Sequence, residues 1–361
     1  MDSTDKTSKA IAFSQLNNNL RRLLRRLEVD RAVFFGLLAK IWGLCVAPIT
    51  AILIATKFTP ELQGYYFTFA TILALRVFVE LGLGTVIVQF AGHEWAKLNL
   101  DESGHIVGDR NALLRLVSIA DIASKWYLFG GIIVALGLGI GGFIFFSDSH
   151  YMGINWTAPW FLLCFLSGIN VCLVPVWSLL EGCNQVAQLY TFRFYQGVVS
   201  IIAVWIAILF GAGLWTASIS SNAILLCSIF FLKRHYWGFL KTLLLSKSKN
   251  NNAPKISWRT EMLPMQWRIA LTMITGYFVF SFFVPVLFKF QGPIIAGQMG
   301  MTWSIINAIG ILSFSWFTPK IPQFCMLIAR KRYKELDRLF FHNTIITLIL
   351  LILTSLIFLI G

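Results

Sequence analysis

Long apolar runs alternate with short polar connections along this chain, and the runs lack the three-to-four-residue stripe of a soluble amphipathic helix. Blocks at about 32–56, 65–90, 126–147, 158–180, 196–213, 215–232, 266–289, 294–317 and 340–360 each approach the roughly 20 helical residues that cross a 30 Å hydrocarbon core. In hydrocarbon such a block satisfies its backbone only as a helix or inside a closed barrel. Barrel strands would read as segments of about ten residues with alternating polarity, and none occurs. The pattern predicts an all-α, polytopic helical membrane protein with nine spans. Only Gly211, Ala212 and Gly213 separate the fifth block from the sixth, so a re-entrant pair is the alternative there.

The polar connections divide the chain. Residues 1–31 are polar and basic, with no signal-peptide cleavage site. Within them Leu20, Leu23, Leu24 and Leu27 share one helical face and Arg21, Arg22, Arg25 and Arg26 the other. This predicts an interfacial helix on anionic headgroups, or a docking site for a partner enzyme. Six blocks over 32–232 form an expected first lobe, 233–264 a basic linker, and 265–361 a second lobe of three blocks. A shift of 233 residues lays Gly43 on Gly276, Gly64 on Gly297 and LQGYYFTFATILAL on IAGQMGMTWSIINAI. The shift matches helix two to helix eight in the same orientation, as in parallel transporter repeats. Equal lobes would each hold six helices, so about three are expected to be missing after residue 361.

Charge sharpens the topology. Of the 30 Lys and Arg residues, 26 fall in alternate connections, two (Lys57 and Lys289) in the opposite ones, and Lys40 and Arg76 inside helices. Cytoplasmic loops collect Lys and Arg, which predicts a cytoplasmic N-terminus. The same bias accounts for the net charge of +14 without a nucleic-acid partner. Six cysteines lie in or beside apolar blocks without paired metal spacing and read as small hydrophobes, so no metal or cofactor is predicted.

No catalytic constellation is visible. The five histidines fall in connections or at helix ends, and the glycines of GLGIGG at 137–142 sit in an apolar run, where close helix packing is their expected use. Intramembrane polar groups are the lead. Lys40, Arg76 and Glu80 all fall near mid-depth, where ionised groups are costly and face protein or water. Glu80 can neutralise one cation as a buried pair, while the other lines an aqueous cavity that attracts an anionic substrate. Gln89, Asn170, Tyr277 and Asn307 can hydrogen-bond a hydroxylated solute or a neighbouring helix. Pro48, Pro175 and Pro285 interrupt helices one, four and seven.

The run QGYYFTFATILALRVFVELGLGTVIVQFAGHEW, the segment PVWSLLEGCNQV, and WRTEMLPMQWRIALTMITGYFVF followed by GPIIAGQMGMTW resemble the polysaccharide flippases of the multidrug, oligosaccharidyl-lipid and polysaccharide exporter superfamily. The resemblance covers about 32–361. It implies two six-helix lobes around a cationic cavity in a bacterial inner membrane. The implied cargo is an undecaprenyl-pyrophosphate-linked oligosaccharide carried from the cytoplasmic to the outer leaflet, with no enzymatic step. Lys40 and Arg76 become candidate phosphate-facing cations, and membrane lipids, a polysaccharide polymerase or glycosyltransferases of the same pathway become expected partners. Three alternatives stand beside it: a cation-coupled drug exporter, a membrane glycosyltransferase or glycan polymerase, and a non-transporting assembly partner.

Overall fold

A computed structural model describes residues 31–147, 153–247, 256–317 and 331–360. The apolar blocks are helical, and among the described residues eight helices are long and apolar enough to cross a membrane. In chain order the helices are α1 (Arg31–Lys57), α2 (Pro60–Leu73), α3 (Val77–Glu80), α4 (Leu83–Trp95), α5 (Arg110–Ile132), α6 (Gly139–Ser147) and α7 (Thr157–Gly182). They continue with α8 (Val186–Leu209), α9 (Trp215–His235), α10 (Trp237–Lys247), α11 (Leu263–Phe280), α12 (Phe283–Gln291), α13 (Pro293–Phe317) and α14 (Tyr333–Ile360). The eighth expected span is the single 25-residue helix α13. The interfacial helix expected before Arg31 and Cys325 lie outside the described residues.

Several boundaries depart from the hydropathy blocks, each for a local reason. The third span begins at Arg110, well before residue 126, because Asp109 caps α5 by accepting from the Ala112 N–H at 2.8 Å. It runs on through a π-helical turn at Ile133–Leu138 into α6. The connection before it holds a two-stranded antiparallel hairpin, β1 (Leu98–Leu100) with β2 (Ile106–Gly108), Asn99 opposite Val107. About a third of the expected linker is the helix α10, which buries Phe239 in the core. The fifth and sixth spans are two full helices, α8 and α9, joined by a tight turn rather than a re-entrant pair.

Contacts sort the connections into two ends. At one end the hairpin meets α10, Tyr236 donates to Gln185 Oε1 at 3.3 Å, and the Ile256 N–H donates to Ser118 Oγ at 3.2 Å. Arg115 fastens this end: its Nε lies 2.8 Å from the buried Glu94, and its terminal nitrogen 3.4 Å from Glu261, just ahead of α11. A carboxylate as buried as Glu94 needs such a charged partner. At the other end Tyr65, Phe69, Phe146, Trp160 and Phe288 form an aromatic cluster, with Tyr65 and Phe288 centroids 5.0 Å apart in an edge-to-face pair. The described Lys- and Arg-bearing connections at 91–125, 181–195 and 233–268 therefore share one end, and Lys57 and Lys289 lie at the other.

Helices α2 and α13 cross at the aromatic end. Gly64 lies so close to Pro293 that a Cβ there would collide with backbone, a contact only glycine permits. Gly297 in turn faces Gly64, and Gly300 faces Phe67. Residues separated by the 233-residue shift thus touch each other. Of the glycines in the 130–142 region, Gly130, Gly131 and Gly142 pack against Val79, Gly168 and Trp160 respectively, as close helix packing requires, whereas Gly141 faces open space.

Candidate functional site

The second block is not one continuous helix. After α2 the chain narrows into a 3-10 turn at Ala74–Arg76, resumes as the single turn α3, and reverses at Leu81 (φ 45°) and Gly82 (φ 70°) before α4. The left-handed pair stops the helix inside the span, and Gly82 presses on Ile269 of α11, leaving no room for a side chain. Backbone carbonyls freed at membrane depth need protein partners. One is supplied by Trp126, whose indole N–H donates to Val79 O at 2.9 Å. Arg76 and Glu80 occupy the last turn before the break, with Nε and Oε1 3.6 Å apart. The seventh span is broken as well: α11 ends at Phe280 and α12 starts at Phe283, two residues before Pro285, whose missing N–H prevents a continuous ladder. The two interrupted spans meet through Phe78 and Tyr277, their rings 5.5 Å apart.

Arg76 stands between two cavities. The first, of about 430 Å³, is enclosed by α2, α7, α8 and α9. Arg76 and Arg193 line it, with Asn170, Gln196, Ser221 and Ser228 among its polar walls and no carboxylate. The second, of about 530 Å³, lies between the α2–α3 segment and Met273 of α11, and it receives both Arg76 and Glu80. Arg193 is held from outside the first cavity by Glu181, 3.7 Å away, and by the Tyr190 ring at 5.7 Å. Each guanidinium carries five N–H donors in a planar fork. A single carboxylate at 3.6 or 3.7 Å occupies few of them, so both forks keep donors for an anion in the cavity.

The walls are pinned by amide and hydroxyl bonds between helices. Asn170 Nδ2 donates to Leu166 O at 2.9 Å and to Ser221 Oγ at 3.2 Å. Gln196 Nε2 donates to Ser228 Oγ at 2.9 Å and to Ile224 O at 3.0 Å, and the Ser200 and Ser220 hydroxyls are 2.9 Å apart. These groups fix α7, α8 and α9 around the space and line it with polar atoms. No histidine, cysteine or carboxylate is among the lining residues.

Of the seven residues singled out from sequence, Arg76 and Asn170 line the first cavity, and Arg76 with Glu80 the second. Lys40 is exposed on α1 and lines neither. Gln89 and Asn307 are likewise exposed away from both, and Tyr277 is buried among aromatic rings. Arg193, Gln196 and the α9 serines were absent from that set; Arg193 falls in 181–195, which reads as a connection by hydropathy. Polar residues at 193, 196 and 200, on one helical face, were the available signal. Compared with family models, curated proteins and solved structures, the chain matches none.

Proposed function

We propose that this chain is a carrier that moves a polyprenyl-pyrophosphate-linked oligosaccharide between the leaflets of a bacterial inner membrane, for surface polysaccharide synthesis. The observation that carries the reading is the pair of arginines, Arg76 and Arg193, facing one amide- and hydroxyl-walled cavity among membrane-spanning helices. Guanidinium forks match a pyrophosphate bidentately. The polyprenyl tail stays in lipid. In this reading the first six spans form one lobe and α11–α14 belong to a second, with the cationic cavity in the first and the N-terminus in the cytoplasm. The breaks in spans two and seven, packed on each other, are where the lobes would flex.

The exporter reading draws on Glu80 as a membrane acid, but Arg76 holds that carboxylate at 3.6 Å. Reconstitution of the purified chain into vesicles with a fluorescent polyprenyl-pyrophosphate glycan tests the proposal. Wild type transfers the lipid between leaflets, and Arg76→Gln with Arg193→Gln slows transfer by about ten- to a hundredfold, the loss expected for charge-assisted hydrogen bonds of roughly 1.5–3 kcal/mol. An unchanged rate in the double variant removes both arginines from the path.

A further inference from the structure

A separate pocket of about 470 Å³ opens at the end of the molecule that carries the hairpin and the basic connections. Its floor is Leu100 of β1, and its walls come from the start of α8 and the end of α9. The lining differs in kind from that of the cationic cavity. It contains no Lys, Arg, Asp or Glu; amides (Gln185, Gln188), hydroxyls (Thr191, Tyr195, Tyr236) and aromatic rings make up most of it. Tyr236 is buried, and burial pushes its hydroxyl up to about 12, so the group stays a neutral donor. Gln188 and Tyr195 are exposed at the rim.

The two spaces share one wall. Phe192 lines both, and it is the middle ring of a stack: Trp177 lies 5.3 Å from it at 20°, and Phe231 4.1 Å from it at 13°. Trp177 faces the cationic cavity and Phe231 the neutral pocket. Arg193 follows Phe192 directly and is on the cationic side. A ligand reaching across this partition would meet guanidinium donors on one side and uncharged amides, hydroxyls and ring edges on the other.

That division fits a molecule with an anionic part and a neutral, polyhydroxylated part. Small-molecule sites of roughly 300–1,000 Å³ fix orientation with a few polar groups on an apolar, aromatic lining. A lining without Lys or Arg favours hydroxyls over phosphate, because a desolvated anion with no fixed cation partner is costly. Building on the carrier reading, we infer that the pocket bounded by Gln185, Gln188, Tyr195, His235 and Tyr236 is the sugar site, holding the uncharged glycan of the cargo while Arg76 and Arg193 hold its pyrophosphate.

The test compares two lipids on the full chain in nanodiscs, by native mass spectrometry: undecaprenyl pyrophosphate alone, and the glycan-bearing lipid extracted from the cells that make this chain. Wild type prefers the glycan-bearing lipid. Gln188→Ala with Tyr195→Ala cuts that preference by about tenfold, as loss of two ordinary hydrogen bonds predicts, and leaves the affinity for the bare lipid unchanged. Arg76→Gln weakens both lipids alike. A rim variant that keeps the wild-type preference, or weakens both lipids equally, overturns the sugar site while the carrier reading stands. A wild-type chain that binds neither lipid overturns the carrier reading and the sugar site with it.

Discussion

Helices α2 and α13 both open on a proline, Pro60 and Pro293, and both place a glycine four residues later. Beyond that first turn they diverge. The span begun by α2 carries Arg76 and Glu80 and breaks at Leu81 and Gly82; the positions 233 residues on are Ile309 and Ser313, and α13 runs for 25 residues without interruption. Charge and discontinuity coincide in one member of the pair and are absent from the other. The ionised turn lies where the helix stops, because a broken helix beside a cavity gives polar side chains and freed carbonyls somewhere to point. The uncharged member instead supplies a flat seam of small residues. Two segments of similar bulk thus take separate places, one lining the cavities and the other holding the bundle.

The largest effect that separates them is expected at the seam. Gly64→Leu forces a side chain into the Pro293 backbone and lowers the yield and thermal stability of detergent-purified protein, by about 3 kcal/mol or more if the helices cannot separate. Gly276→Ala, which meets open space, leaves both unchanged. Next comes Gly82→Val, which sets a β-branched residue at φ 70° against Ile269; strain of about 1–3 kcal/mol is expected, read as a drop in melting temperature. Trp126→Phe removes the donor to Val79 O and costs about 1–3 kcal/mol if the carbonyl is left without a partner. The smallest effects belong to Asn307→Ala and Gln89→Ala, each within about 0.5 kcal/mol and without effect on lipid transfer. If Asn307→Ala slowed transfer as much as Arg76→Gln, the division between the two spans would be wrong.

Helix type and approximate position were legible because hydrocarbon imposes length and apolarity directly on the residues. The break was not. VELGLGT falls inside the single apolar block 65–90, and the reversal there is seen only in the positive φ of Leu81 and Gly82 and the approach of Ile269. Hydropathy also reports depth but not surroundings: Lys40 and Arg76 lie at similar depth by counting, yet Lys40 lines neither of the two cavities and Arg76 lines both. Arg193 was missed for the converse reason. QLYTFRFYQG is polar enough to pass for a loop, and only its packing in α8 beside the serines of α9 gives it a role.

The contact between Gly64 and Gly297 leaves neither position room for a side chain. It also ties the two positions together under mutation: a larger residue at 64 can be accommodated only if the facing backbone at 293–297 retreats, and the two sites would therefore drift as a pair.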